Sequence, residues 1–193
     1  MGGRSYISKV VLAGNARAMC GGIPQVEFGP GVNVLAGPNG SGKSTVLRVL
    51  RDRDWGSKEG CEVWREGDDN LDWVAFDSEQ DNARFKAGRG PLQFINTNAS
   101  HGQVQRRTYG FLKERIQPGS LVMLDEPEAA LDMGGIAELV AVIKARTDCQ
   151  WVLATHHLAI WQMPGARIIE LRQGHVAKTI AHWRTLVGGA FTV

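Results

Sequence analysis

The 193-residue chain lacks long hydrophobic runs and paired cysteines. Its longest apolar stretches contain a few residues, far below the roughly 20 that a membrane-spanning helix requires. The start, MGGRSYISK, carries no hydrophobic secretory segment. Cys20, Cys61 and Cys149 are widely spaced without a CxxC pair, which argues against a disulfide framework or a zinc site. We therefore expect a soluble, cytoplasmic protein.

The chain also lacks a large excess of charge of one sign. It has 22 basic and 20 acidic residues, so the formal net charge is +2. Such a balance produces no general attraction to nucleic acid or to anionic membranes. Short basic clusters leave nucleic-acid binding open as an alternative, although solvated surfaces explain them better; the clusters are Arg48-Arg51-Arg53, Arg84-Lys86-Arg89 and Arg106-Arg107. The length and the absence of repeats predict that residues 1–193 form one domain.

Short apolar segments alternate with amphipathic ones, which predicts an α/β fold with a largely parallel central sheet. The continuous apolar runs at 121–124 and 151–154 are typical of strands buried on both faces of such a sheet. Other predicted strands lie at 6–12, 25–28, 31–36 and 71–76, with a closing pair at 167–171 and 175–179. Predicted helices cover 44–51, 102–116 and 136–146, and 52–70 is predicted to be irregular surface.

The first functional motif is the sequence GPNGSGKST at 37–45, which follows a predicted strand and precedes a predicted helix. In the pattern GxxxxGK[ST], backbone N–H groups cradle the phosphates of a nucleotide. Lys43 is expected to reach the β- and γ-phosphates, and the Ser44 hydroxyl to hold Mg²⁺. The strand before and the helix after argue against a chance match in a chain with 24 glycines. The predicted nucleotide contacts are Gly37, Pro38, Asn39, Gly40, Ser41, Gly42, Lys43, Ser44 and Thr45.

Two carboxylates directly follow the apolar run 121–124. Ligands of open α/β sheets bind at the carboxyl ends of the strands, which is where this pair falls. Asp125 is predicted to hold Mg²⁺ directly or through water, and Glu126 to polarise the attacking water as a general base. The alternative is a solvated acidic turn, but an acidic pair beside a triphosphate needs a charge partner, and Mg²⁺ provides one.

With these motifs the chain resembles the ABC-type ATPases. The sequence DEPEAALD at 125–132 is similar to the family's DEP-x-x-x-LD run, whose last aspartate, here Asp132, begins a loop at the dimer interface. Residues 151–157, WVLATHH, look like the strand that ends in the family's switch histidine, which contacts the γ-phosphate. Because that histidine directly follows a threonine, the resemblance implies His156, with His157 as the alternative.

A further segment, NASHGQ at 98–103, precedes a predicted helix and resembles the family's LSGGQ signature. His101 replaces one of its glycines and Ala99 its leucine. In the family this motif offers donors at a helix N-terminus to a γ-phosphate held by a second subunit. The resemblance therefore implies that Ser100 and Gly102 contact the nucleotide of a partner copy.

The glutamine of the family's Q-loop should follow the predicted strand 71–76, and Gln80 is the candidate. Only 19 residues separate Gln80 from Ser100, which leaves little room for the helical insertion of transporter subunits and none for a long coiled coil. The stretch 26–40, VEFGPGVNVLAGPNG, nevertheless looks more like the SMC/RecF branch than the transporter branch. The whole set is similar to small stand-alone bacterial or phage proteins described as predicted ATP-binding proteins.

This resemblance implies a P-loop NTPase fold of ABC-ATPase type, with an N-terminal antiparallel β portion and a much reduced helical subdomain. It implies Mg²⁺-dependent ATP binding and hydrolysis by a head-to-tail homodimer, with Lys43, Glu126 and His156 as catalytic residues and an unidentified protein effector. The alternatives are a switch or assembly module with little hydrolysis, and the ATPase subunit of a DNA-processing, defence or transport complex.

Overall fold

The computed structural model describes residues 5–67, 71–77, 114–129 and 131–186. The strands within these ranges are β1 (Tyr6–Val11), β2 (Gln25–Glu27), β3 (Val32–Ala36), β4 (Glu62–Glu66), β5 (Trp73–Asp77), β6 (Leu121–Asp125), β7 (Gln150–Ala154) and β8 (Arg167–Glu170). The helices are α1 (Gly14–Met19), α2 (Lys43–Arg51), α3 (Arg53–Lys58), α4 (Met133–Ala145), α5 (Leu158–Trp161) and α6 (His175–Leu186). Among these, no helix combines the length and apolarity needed to cross a bilayer.

The strands form two sheets. Five parallel strands follow the order β5-β6-β7-β3-β8, and an antiparallel sheet of three strands follows the order β2-β1-β4. In the parallel register, Ala154 of β7 lies opposite Asp125 of β6 on one side and Leu35 of β3 on the other. Ala36 of β3 lies opposite Glu170 of β8. The carboxyl ends of these strands therefore meet at one edge of the sheet, as predicted for a ligand-binding α/β fold. The predicted fold class, a mostly parallel sheet with an N-terminal antiparallel portion, is confirmed.

The central strands of the parallel sheet are buried on both faces, which explains their apolar runs. In β6, Leu121 and Met123 pack on the side of the antiparallel sheet, whereas Val122 and Leu124 pack on the side of α4. The strand β7 alternates in the same way between the two clusters. Every residue of β6 and β7 is buried. Burial on both sides holds the ends of these strands, and thus the loops that follow them, in fixed positions.

A buried glutamine joins the two sheets. Gln150, at the start of β7, is 3% exposed. Its Oε1 accepts the Ile7 N–H at 2.8 Å, and its Nε2 donates to the Ile7 carbonyl at 2.8 Å and to the Gly29 carbonyl at 3.0 Å. The side chain thus satisfies main-chain groups of β1 that would otherwise be buried without partners. It ties the antiparallel sheet to the sheet that carries the glycine-rich loop.

The prediction of irregular surface at 52–70 is wrong over most of its length. Asp52 caps α3 by accepting the Trp55 N–H at 3.0 Å, which satisfies one of the orphan donors of the first turn. The next segment forms β4, which pairs antiparallel with β1. The sequence does not show this strand clearly, because only alternate side chains of β4 are partly buried and the exposed ones include charged residues.

The predicted closing strand at 175–179 is also wrong, because these residues begin α6. The preceding strand β8 is present. Its last residue, Glu170, accepts the N–H groups of Gly174 at 2.9 Å and Val176 at 2.6 Å. A carboxylate on the first N–H groups of a helix satisfies orphan donors and complements the helix dipole. The local alternation of apolar residues at 175–179 gave no sign of this capping contact.

Several predictions of the sequence fall outside the described residues. Gln80, the signature candidates Ser100 and Gly102, and the reduced helical subdomain between them lie within 78–113. The second and third basic clusters lie there as well. Of the first cluster, Arg48 stacks on the Trp55 ring with its guanidinium carbon 4.1 Å from the ring centroid. A structural contact therefore accounts for the position of Arg48.

Candidate functional site

The glycine-rich loop connects the end of β3 to the first residue of α2. Gly40 and Gly42 adopt left-handed backbone angles, with φ of 74° and 93°. A Cβ at Gly37 would lie 2.4 Å from Ser41 Oγ, so a larger residue at position 37 would force Ser41 to shift. Ser41 Oγ is buried and has no hydrogen-bond partner among the described residues. A loop of this shape, with an unused hydroxyl donor beside a helix N-terminus, fits an anionic phosphate.

Lys43, the first residue of α2, is 6% exposed and reaches back over the loop. Its Nζ donates to the Gly37 carbonyl at 3.1 Å and the Pro38 carbonyl at 3.3 Å, and it lies 2.8 Å from His156 Nε2. Burial lowers the pKa of Lys43, while Glu126 and other nearby carboxylates oppose the shift. The ammonium group therefore sits at the centre of the site, and three acceptors use its three protons.

The contact with Lys43 determines which proton the His156 ring carries. An ammonium group can only donate, so Nε2 must accept and the neutral ring carries its proton on Nδ1. Burial, followed by the charge of Lys43, lowers the pKa of His156; Glu126 and Glu128 act in the opposite direction. Both the geometry and the electrostatics thus favour a neutral imidazole beside the lysine.

The acidic pair lies at the end of β6, next to the end of β7. Asp125 is 8% exposed. Glu126 has φ of 45° and is the one non-glycine residue with a positive φ in the described part of the chain. Its Oε1 lies 3.9 Å from His156 Nε2. A left-handed conformation costs a residue with a side chain roughly 1–2 kcal/mol, and such strain concentrates at functional sites.

Two cavities open beside the loop. One of about 520 Å³ is lined by Lys43, Ser44, Thr45 and Glu126, and its volume lies within the range of ligand sites. The other, of about 230 Å³, has Ser44 and Asp125 in its wall. A hydroxyl and a carboxylate are oxygen ligands of the kind that Mg²⁺ takes, with water and phosphate oxygens completing the shell. The described residues contain no cluster of three or more His, Cys, Asp or Glu that could hold a metal unaided.

Two other predicted residues have structural contacts. Asp132 lies at the N-terminus of α4, where its Oδ1 accepts the Gly135 N–H at 2.8 Å. His157 precedes α5, and its Nδ1 accepts the Ala159 N–H at 3.3 Å. Of the two adjacent histidines, His156 is therefore the one next to Lys43, while His157 caps a short helix.

Sequence reasoning missed two residues at this site. Glu128 accepts the His156 N–H at 2.8 Å, although its place in the acidic run 125–132 could have marked it. Met19, at the end of α1, lies with its Sδ 3.8 Å from Thr45 Oγ1 and borders both cavities. No signal in the sequence pointed to Met19, because α1 itself was not predicted.

Comparisons with known proteins show what the chain is similar to. A family model described as an AAA domain matches residues 21–56, which include the glycine-rich loop. The arginine transport ATP-binding protein ArtP of Escherichia coli K12 is 28% identical over 81 residues, covering 41% of this chain and 33% of ArtP. ArtP of Escherichia coli O157:H7 matches equally. The structure of a bacterial Atm1-family ABC exporter with ATP bound has a TM-score of 0.59 at 17% identity, covering 92% of this chain and 42% of the exporter chain.

The chain has the fold of an ABC-type P-loop ATPase. The matched part of the chain spans about a third of the length of ArtP and less than half of the exporter chain. The relation to the SMC/RecF branch stays a prediction, because these matches do not test it. The resemblance drawn from the sequence motifs is thus supported at the level of the ABC-type fold.

Proposed function

We propose that the chain is a Mg²⁺-dependent ATPase that works as a nucleotide-driven homodimer. The observation that supports this proposal is that three side chains from separate elements lie together: Lys43 from the start of α2, Glu126 after β6 and His156 after β7. His156 Nε2 lies 2.8 Å from Lys43 Nζ and 3.9 Å from Glu126 Oε1, directly beside the glycine-rich loop. A phosphate binder alone needs the loop and the lysine, whereas a carboxylate and a histidine beside them suit the orientation of a water molecule.

Each residue has a role in this proposal. Lys43 would neutralise charge on the β- and γ-phosphates, and Ser44 with Asp125 would hold Mg²⁺, which supplies further charge neutralisation when bound. Glu126 would accept a proton from the attacking water, and His156 would orient that water or the γ-phosphate. Phosphoryl transfer demands positioning and charge neutralisation more than covalent chemistry, and these residues supply both.

The homodimer part of the proposal rests on the resemblance. Ser100 and Gly102 of one copy would meet the nucleotide bound by the other, and Asp132 would lie near the shared interface. In this proposal residues 1–193 act as one domain in the cytoplasm, and Gln80 contributes to the nucleotide site. An unidentified protein effector would couple hydrolysis to work.

Steady-state phosphate release at high protein concentration tests the hydrolase. The wild-type chain with ATP and Mg²⁺ should release phosphate well above Lys43→Ala, because that variant loses the ammonium that meets the phosphates. Lys144→Ala is the matched control, since Lys144 is an exposed lysine of α4 far along the sequence from the loop. If wild type and Lys43→Ala release phosphate equally, the chain is not an ATPase.

Light scattering tests the dimer. Glu126→Gln keeps the size of the side chain but removes the proposed base, so it should bind ATP, hydrolyse it slowly and accumulate as a dimer. Glu138→Gln, an exposed position on α4, is the matched control and should behave as wild type. A Glu126→Gln protein that stays monomeric at saturating ATP would disprove the sandwich arrangement.

The same assays decide between the alternatives. ATP binding without phosphate release above the Lys43→Ala level would favour the switch or assembly module. The transport proteins among the relatives motivate a second candidate, the ATPase subunit of a transport complex. A salt-dependent affinity for duplex DNA would instead favour a role in DNA processing, since phosphate contacts make binding sensitive to salt.

A further inference from the structure

The hydrogen-bond ladder between β6 and β7 ends in an unusual way. The Glu126 N–H donates to the Ala154 carbonyl at 2.8 Å, which continues the parallel ladder one step beyond the sheet. The next bond of an evenly spaced parallel ladder would run from the His156 N–H to the Glu126 carbonyl. It does not form there, because Glu126 turns into the left-handed region and its carbonyl accepts the Ala129 N–H at 3.0 Å.

Glu128 takes the place of the missing acceptor. Its Oε1 accepts the His156 N–H at 2.8 Å, across 28 residues of sequence. Its second oxygen, Oε2, is buried and has no hydrogen-bond partner in the part of the chain that the structure describes. A carboxylate held with one oxygen unpartnered is a costly way to satisfy one N–H group. A purely structural role could have been filled by a neutral side chain.

The residue before His156 is already fixed. The Thr155 carbonyl accepts the Trp161 Nε1–H at 3.0 Å, and its hydroxyl accepts the His157 N–H at 3.0 Å. The His156 N–H is the next main-chain donor, and its bond to Glu128 fixes the backbone at the residue that carries the imidazole ring. The ring that this backbone carries makes the contacts with Lys43 and Glu126.

We propose that Glu128 is a positioning residue that fixes the main chain of His156, and through it the ring, against Lys43 and Glu126. This inference rests on the proposed ATPase function, because the alignment of His156 matters for the water and the γ-phosphate. Glu128 itself would touch none of the reacting groups. Its carboxylate also adds negative charge close to Lys43 and His156. Burial lowers the pKa of both residues, and the charge of Glu128 opposes part of that lowering.

Amide hydrogen exchange measured without added nucleotide tests the contact directly. In Glu128→Ala the His156 amide should exchange about tenfold faster than in wild type, the factor expected for one lost hydrogen bond. Glu128→Gln keeps a carbonyl oxygen in the place of Oε1, so its exchange rate should stay close to wild type. Glu138→Gln controls for the loss of a surface charge. Unchanged exchange in Glu128→Ala would overturn the proposal.

Kinetics test the consequence for turnover. Glu128→Ala should lower kcat by ~10–100-fold, as the loss of other orienting partners does, with little change in KM for ATP. Glu128→Gln should retain most of the wild-type kcat, and a melting curve checks that both variants fold. A wild-type kcat in Glu128→Ala, or an equal loss of kcat in both variants, would overturn the positioning role. Failure of the ATPase proposal itself is distinguishable, because wild type would then release no phosphate above Lys43→Ala, while amide exchange would still report on Glu128.

Discussion

The sharpest stability prediction concerns two glycines of the same loop. Gly42 and Gly40 both have left-handed backbone angles, but their surroundings differ. A Cβ at Gly42 would lie 2.5 Å from Cys20 Sγ, 2.8 Å from Cys20 Cα and 3.0 Å from the Met19 carbonyl oxygen. A Cβ at Gly40 would meet no atom within 4 Å. We therefore expect Gly42→Ala to destabilise the fold far more than Gly40→Ala.

The magnitude follows from two contributions. The left-handed conformation costs alanine roughly 1–2 kcal/mol at either position. At Gly42 the new methyl group would also overlap the backbone where α1 ends, and such overpacking costs about 1–3 kcal/mol more. The free energy of unfolding should thus fall by roughly 2–5 kcal/mol for Gly42→Ala and by roughly 1–2 kcal/mol for Gly40→Ala.

Urea unfolding without added nucleotide measures both values on one scale, provided that the m-value stays constant. A third variant, Gly42→Ala with Cys20→Ala, removes the overlap with Sγ but keeps the overlap with the main chain of residue 20, so it should recover part of the loss. Equal destabilisation by the two glycine substitutions would refute the reasoning, because it would mean that the end of α1 does not lie against the loop. That result would also remove the steric reason for a glycine directly before Lys43.

Three further predictions follow from other contacts. Gln150→Leu should lower the free energy of unfolding by about 2–4 kcal/mol in urea, since the buried N–H and C=O groups of Ile7 lose their partner; a loss under about 1 kcal/mol would contradict that role. Alkylation followed by mass spectrometry should label the half-buried Cys61 before the buried Cys20, because burial raises the pKa of Cys20 to about 11 and only the thiolate reacts. The opposite order of labelling would contradict the packing around α1. Finally, burial and the neighbouring lysine lower the pKa of His156 below its ordinary 6.5, so the ring is neutral at neutral pH and becomes charged only on acidification. Phosphate release should therefore stay constant as the pH falls toward 6.5 and decline below it. A His156→Gln variant shows which part of the decline depends on His156. If the part that depends on His156 begins above pH 6.5, the assignment is contradicted.

The parts of the fold that local sequence determines were predictable. The run at 121–124 is apolar throughout because β6 is covered on both faces, and the sequence alone shows such a run. The amphipathic helix α2 begins within one residue of its predicted start. These elements are defined by burial patterns that repeat along the chain, so no distant partner is needed to recognise them.

Elements that depend on distant contacts were not predictable in the same way. The strand β4 is charged, and it is a strand because β1, more than 50 residues earlier, pairs with it. The helix α6 begins where the alternation of residues suggests a strand, because Glu170 caps its first N–H groups. The start of α3 had a local signal, since Asp52 is a favourable capping residue, and that signal was overlooked.

The candidate site likewise has parts that local sequence motifs predict and parts that depend on distant contacts. Motifs located the loop and the acidic pair, because the chemistry of phosphate and Mg²⁺ restricts both residue type and spacing. The bond between Glu128 and the His156 N–H depends on the left-handed turn at Glu126, which breaks the ladder. No composition rule predicts a positive φ at a glutamate. The positioning role proposed for Glu128 therefore required the three-dimensional structure.

The contact between Lys43 and His156 also suggests how nucleotide binding would reorganise the site. The ring nitrogen is a neutral acceptor for Lys43, whereas a phosphate oxygen carries negative charge and adds a Coulombic attraction that the ring does not offer. A γ-phosphate in the loop should therefore draw the ammonium away from Nε2. The ring would then be released from its role as acceptor, within reach of Glu126 and still held at its backbone by Glu128. In this way the same lysine would both bind the phosphate and allow His156 to take up its position in the reaction.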